Sequence, residues 1–151
     1  MARTPFQILV FPYILNGNQI EYVIFRRSDD GYWQGIAGGG ESNETPEMAV
    51  KRECFEEAAI PMESDFIKLQ TTSSIPVSSF RDSYLWGNDL YVIPEYCFGV
   101  RIKKKGIVLS DEHREFRLCK YEEALSLLRY DGNKTALWEL NQRINRQGPR
   151  E

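Results

Sequence analysis

The sequence predicts a single α/β domain over residues 1–151, and three observations carry that expectation. A chain of 151 residues corresponds to about one domain, and that length can bury roughly 68–70% of its unfolded surface. Its 42% hydrophobic, 13% aromatic and 27% charged residues are ordinary globular values that exclude wholesale disorder. The third observation is order along the chain: strand-like runs, one capped helix, further strands, then two amphipathic helices.

Phe6–Phe11 and Tyr13–Leu15 read as a strand, with Pro12 predicting a bulge or a sheet edge. Asn16-Gly17-Asn18 is a hairpin turn and Glu21–Arg26 the returning strand. Ser28–Gly31 is a second turn, Tyr32–Ala37 a short strand, and Gly38-Gly39-Gly40 is expected to break regular structure. Thr45-Pro46 starts a helix, Thr as cap and Pro at the first helical position. It should end near Ala59, because Pro61 disfavours helical geometry at Ile60. Phe66–Val77 reads as strand, Ser78–Asp89 as a long loop, and Leu90–Ile93 with Tyr96–Ile102 as strand again. Lys103-Lys104-Lys105-Gly106 turns into Ile107–Leu109. Tyr121–Leu128 carries apolar residues at i, i+3, i+4 and i+7, Asp131-Gly132-Asn133 punctuates, and Thr135–Ile144 forms a last helix.

Charge narrows the function classes. With 19 Lys+Arg against 22 Asp+Glu, a net charge of −3 argues against a nucleic-acid partner. No apolar run reaches the ~18–20 residues of a membrane span, and Met1–Pro5 is not followed by a secretory apolar region. Cys54, Cys97 and Cys119 match neither a disulfide framework nor a zinc pattern and sit in apolar strings, so a reduced cytoplasmic protein with buried thiols is expected. Residues 41–63 hold seven Glu against Lys51 and Arg52. Such a cluster is either a solvated helix face or a cation site, and spacing has to decide.

At ~100° per residue, Glu53, Glu56 and Glu57 fall within one sector of about 100°. Like charges at that spacing repel by roughly 0.2–0.5 kcal/mol per pair unless a divalent cation collects them. Carboxylate oxygens are hard ligands that favour Mg²⁺ or Mn²⁺, ions that keep waters and bridge to substrate phosphates.

The segment from Gly38 to Ile60 resembles the Nudix hydrolase box, G-x5-E-x7-R-E-U-x-E-E-x-G-U with U a bulky apolar residue. Gly38, Glu44, Arg52, Glu53, Glu56 and Glu57 occupy its polar positions and Ile60 its terminal apolar one. Six such matches arise by chance at roughly 10⁻⁷ per register. Ala59 stands where the box has Gly, and Cys54 where it has an aliphatic residue. Around the box, Phe25–Gly38, Ser110–His113, Phe116–Leu118 and Asp131–Asn133 are similar to bacterial dihydroneopterin triphosphate pyrophosphohydrolases, a Nudix subgroup.

The resemblance implies a Nudix α/β/α sandwich with a mixed sheet, and Mg²⁺-dependent hydrolysis (Mn²⁺ as substitute) of a small-molecule nucleoside or pterin triphosphate to monophosphate and pyrophosphate. It implies that Glu53 and Glu57 bind metal, that Glu56 shares that shell or orients a water, and that Glu112 adds a carboxylate as ligand or general base, with Glu53, Glu56 and Glu112 as the catalytic carboxylates. Arg52 would hold the Glu face by a salt bridge, Glu44 would be structural, and Gly38 would be structural and also border the substrate. Arg3 and Arg26 match positions that contact phosphates, and Asn133 one that contacts substrate. Trp33, Phe80, Tyr84 and Trp86 are candidates to stack on a heterocycle. The box also serves hydrolases of other dNTPs, ADP-ribose or dinucleoside polyphosphates, and Nudix-like modules that bind without cleaving. The latter usually lose box carboxylates, and no effector domain is expected within these 151 residues. Oligomeric state is open.

Overall fold

Strand β1 (Arg3–Asn16) is the spine of the sheet. Alternation sends Leu9, Phe11 and Tyr13 to one face and Ile8 and Val10 to the other, and all five are buried. A strand apolar on both faces belongs in the middle of a covered sheet. The computed structural model, which describes residues 3–103, 107–108 and 113–146 (backbone alone at 113 and 114), places it there. Strand β2 (Gln19–Arg27) pairs with its C-terminal end through the Asn16–Gln19 hairpin, where Gly17 takes φ +64°. Strands β3 (Trp33–Gln34) and β4 (Ile36–Glu41) follow, β3 on β2 and β4 antiparallel to Arg3–Val10 of β1.

Pro12 makes neither a bulge nor an edge, contrary to expectation. Pairing to β4 stops at Val10 and pairing to β2 begins at Tyr13, leaving a gap on that side. The Tyr13 carbonyl points the other way, accepting from Ile102 N–H at 2.9 Å. Alternation therefore aims the missing N–H of Pro12 into the gap, where no ladder bond is lost. The bulge in β1 lies instead between Thr4 and Gln7.

The three glycines also depart from the sequence reading. They do not break structure: β4 runs through them, pairing Gly38 with Ile8, Gly39 with Gln7 and Gly40 with Thr4. None has positive φ; they are needed for close approach. A Cβ would meet the Glu53 carboxylate at 2.3 Å from Gly38, the Arg3 guanidinium at 2.3 Å from Gly39, and the Phe6 ring at 2.1 Å from Gly40.

Helix α1 (Pro46–Ala58) starts as expected, with Thr45 Oγ1 accepting from Met48 N–H at 3.2 Å. It ends at Ala59 in the left-handed region, φ +57°, with Ile60 N–H reaching back to Cys54 O at 3.2 Å. Strand β5 (Asp65–Pro76) leads through two 3₁₀ turns, Val77–Ser79 and Arg81–Trp86, to β6 (Val92–Arg101). β6 is parallel to β1 and antiparallel to β5, which makes the sheet mixed. Strand β7 (His113–Cys119), not foreseen as strand, pairs with β2.

Helices α2 (Tyr121–Leu127) and α3 (Asp131–Asn145) close the chain. Asp131, Gly132 and Asn133 form the first turn of α3 rather than a break before it. Ala49, Val50, Cys54 and Ala58 of α1 pack on Ile8, Val10, Val23, Phe25 and Phe98. Ala136, Leu137, Leu140 and Ile144 of α3 pack with Leu9, Phe11, Tyr22 and Ile24 on the other side. The α/β/α sandwich is as expected. All three cysteines are buried and free, and burial raises each thiol's pKa.

Candidate active site

Arg52, on the second turn of α1, organises the acidic face. Its Nε and Nη2 donate to the two oxygens of Glu44 at 2.8 and 3.0 Å, a fork-on-fork pair. Nη1 donates to Glu53 at 2.9 Å and Glu56 at 2.7 Å, and Nη2 also reaches the Gly39 carbonyl at 2.9 Å. Glu44 in turn accepts from Glu41 N–H at 2.7 Å. The loop before α1, the glycine strand and the helix face are thus tied to one guanidinium. The pairing holds Glu44 below the usual carboxylate range and raises Arg52 above its own.

Glu57 is buried and Glu53 partly so, its side chain 12% exposed, whereas the Glu56 side chain is 48% exposed. Burial pushes the Glu53 carboxyl up to about 7; Arg52 opposes this, and the charges of Glu57 and Glu56 add to it. These carboxylates lie within electrostatic reach of one another, a donor set whose chemistry suits a hard divalent cation. Among the described residues no three His, Cys, Asp or Glu side chains converge into a ready-made metal cage. Arg52 engages Oε1 of both Glu53 and Glu56, and Glu112 lies outside the described residues.

Gly38 has the Glu53 carboxylate against one face and also lines a cleft of about 670 Å³. That volume is within the range of small-molecule sites. Arg3, Gly38 and Asn133, all expected site residues, line it. Arg3 packs against Gly39, donates to Gln7 Oε1 and lies 4.7 Å from the Phe80 ring centroid. Asn133 is buried, its Oδ1 accepting from Gly35 N–H at 3.4 Å.

Two expected residues are placed elsewhere. Arg26 donates to the Gly31 carbonyl at 3.1 Å and to Glu115 of β7 at 3.2 Å, so it ties the second turn to the neighbouring strand rather than lining the cleft. Arg27 lines the cleft instead, bound bidentately to Asp29 at 2.8 and 2.6 Å. Register shifts between these two residues in the β2–β7 ladder, an irregularity simple alternation does not foresee. Trp86 does not line the cleft; its indole N–H donates to the Arg3 carbonyl at 2.9 Å and its ring packs on Phe80 at 5.8 Å. Phe80 and Tyr130 are the aromatics at the cleft. Trp33 packs against the core with Arg117 over its ring at 4.9 Å, and Tyr84 is exposed.

Strand alternation set Arg26 and Arg27 on opposite faces and pointed to Arg26, and sequence reasoning passed over Gln34 and Glu95; Arg27, Gln34 and Glu95 all line the cleft. Glu95 did carry a signal: it is the polar member of the inward-facing series Ile93, Glu95, Cys97. A second cavity, about 790 Å³, sits beyond the end of α1 between Ile14, Ile60 and Arg101 and holds none of the expected site residues.

Comparison with known proteins agrees with this geometry. The NUDIX domain profile matches residues 6–139. A dihydroneopterin triphosphate diphosphatase of Haemophilus influenzae is 25% identical over 132 residues, covering 86% of this chain and 83% of the relative. Among solved structures, a Nudix hydrolase from Listeria monocytogenes superimposes with a TM-score of 0.86 at 37% identity, covering 98% of this chain and 99% of that one. The E. coli dihydroneopterin triphosphate pyrophosphohydrolase follows with 0.76 at 25% identity, covering 93% and 99%. With the box carboxylates collected on α1 and the glycine strand between them and the cleft, the chain belongs to the Nudix hydrolase family.

Proposed function

We propose that the chain is a cytoplasmic, Mg²⁺-dependent pyrophosphohydrolase that cleaves a nucleoside or pterin triphosphate to monophosphate and pyrophosphate. The observation that carries this reading is the position of Gly38, which touches the Glu53 carboxylate and lines the Arg3–Arg27 cleft. A triphosphate lying along that strand would run from the acidic helix into the cleft. The similarity to dihydroneopterin triphosphate diphosphatases supports the pterin member of the class.

Each residue has a physical task in this reading. Glu53, Glu56 and Glu57 would hold the divalent ion, with Glu112 as further ligand or as the base that takes the water's proton. When bound, the ion neutralises phosphate charge and lowers the pKa of attacking water. Arg52 keeps the carboxylates from collapsing apart through their own repulsion. Arg3 and Arg27 would pair with outer phosphate oxygens, a role for which a planar fork is suited. Catalysis at such a polyanion rests on charge stabilisation and in-line positioning.

The test is chromatographic product analysis, with pyrophosphate measured alongside, after incubation with Mg²⁺ or Mn²⁺ and dihydroneopterin triphosphate, the four dNTPs, ADP-ribose or a dinucleoside polyphosphate. Monophosphate and pyrophosphate from a triphosphate are the expected products. Cleavage of ADP-ribose or the dinucleoside polyphosphate alone, seen as their sugar- or nucleoside-bound phosphate products, would overturn the reading.

A further inference from the structure

Glu95 has a burial that the fold alone does not account for. It stands on β6 beside Gln7 of β1 and Ser73 of β5, and is only 7% exposed. Among the described residues no hydrogen bond or ion pair engages its carboxylate, yet it lines the cleft. Burial pushes its pKa up to about 7 with no charged neighbour shifting it. Across β1, Gln34 lines the same cleft, 8% exposed, and its Nε2 is one of the buried side-chain nitrogens lacking a hydrogen-bond partner. Unsatisfied polar groups are rare in folded interiors and persist where a ligand completes them.

We infer that Glu95 and Gln34 read the edge of the substrate's heterocycle, and that this edge is the 2-amino-4-oxopyrimidine edge shared by guanine and pterin. The chemistry follows from the two groups. A carboxylate only accepts, and its two oxygens match a ring N–H beside an exocyclic amine. The Gln34 amide nitrogen only donates, and matches the adjacent carbonyl oxygen. Adenine presents one amine beside a ring acceptor, which leaves a carboxylate oxygen unmatched. A site whose buried groups expect hydrogen bonds rejects analogues that lack them far more strongly than an apolar pocket rejects a size mismatch. The inference rests on the proposed triphosphate hydrolysis and adds its base specificity. No residue of the acidic helix takes part in it.

The test compares dGTP with dITP, which differ only in the exocyclic amine, in wild-type protein and in Glu95→Gln. Wild type should favour dGTP by about ten- to a hundredfold in kcat/KM, the range expected for one hydrogen bond to a charged group. Glu95→Gln should bring the ratio within about threefold of unity. Equal turnover of the two by wild type, or a variant that slows both while keeping the ratio, would overturn the inference. Should the variant not fold, calorimetric binding of dGMP and dIMP to metal-free wild-type protein decides: tenfold preference for dGMP supports it, equal affinity overturns it. Should no triphosphate be hydrolysed, the function proposal fails, while the monophosphate comparison still tests Glu95.

Discussion

Removing Arg52 should expose how much of the site's order depends on one cation. The Arg52 side chain is 21% exposed, and those of Glu44 and Glu53 are 13% and 12% exposed. Glu56, nearly half exposed, adds little, as surface pairs contribute roughly 0–1 kcal/mol. In Arg52→Ala the Glu44 fork, the Glu53 bond and the Gly39 carbonyl all lose their donor, while two largely buried carboxylates stay behind. Breaking a buried pair in this way costs about 3–5 kcal/mol. Solvent reaching the opened site would place the loss near the lower end, about 3–4 kcal/mol, or roughly 6–16 °C in melting temperature for a domain of this size. Arg52→Lys restores charge but no fork and should recover about half. The loss should depend on pH with a definite sign. Arg52 depresses the Glu44 pKa, so its stabilisation is present above the ordinary value of 4.5 and fades as pH falls through the lower folded value. Calorimetric melts of metal-free wild type and variant at about pH 3 and about pH 8 make the measurement, the difference between the two proteins being smaller at the acid end. A variant melting within 2 °C of wild type at about pH 8 would refute the hub role of Arg52.

Glu57→Gln keeps volume and removes an anionic donor, so kcat should fall at least a hundredfold, the loss that even neighbours of metal ligands cause, with the metal-free melting temperature held. Wild-type turnover would take Glu57 out of the metal site. Burial raises both Glu53 and Glu95 to about 7 from 4.5. Between those values the folded state holds protons the unfolded chain has lost, so stability is fullest below pH 4.5 for these groups and should fall as pH rises to about 7. Metal-free urea unfolding across that window checks it, and rising stability there would refute the assignment. Arg27→Ala should lower kcat/KM on the triphosphate about ten- to a hundredfold and Arg26→Ala far less, in steady-state kinetics of both; the reverse order would mean that Arg26 leaves Glu115 on binding substrate. Ala59→Gly should stabilise by about 0.5–1 kcal/mol, because a non-glycine residue in the left-handed region costs ~1–2 kcal/mol and glycine's unfolded entropy returns only part. A lower melting temperature would show that the Ala59 methyl packs usefully.

Local rules were enough for much of this protein. Helix α1 begins at its Thr cap, the Asn16–Gln19 hairpin turns where glycine permits, and Glu53, Glu56 and Glu57 share a helix face because 3.6 residues make a turn. The box residues identify the family from sequence because ligand spacing on a helix is a local property. Long-range packing decided the rest. Pro12 is tolerated in a central strand only because two other strands leave a gap beside it, and the glycine run becomes a strand because Glu53, Arg3 and Phe6 crowd it from outside the segment. Whether Arg26 or Arg27 meets the cleft depends on a ladder irregularity against β7, whose Glu115 is 89 residues from Arg26 along the chain. Glu95 and Gln34 are unremarkable letters in two strands until the fold sets both around one cavity, because a sequence orders neighbours along the chain while a cavity collects groups by distance in space.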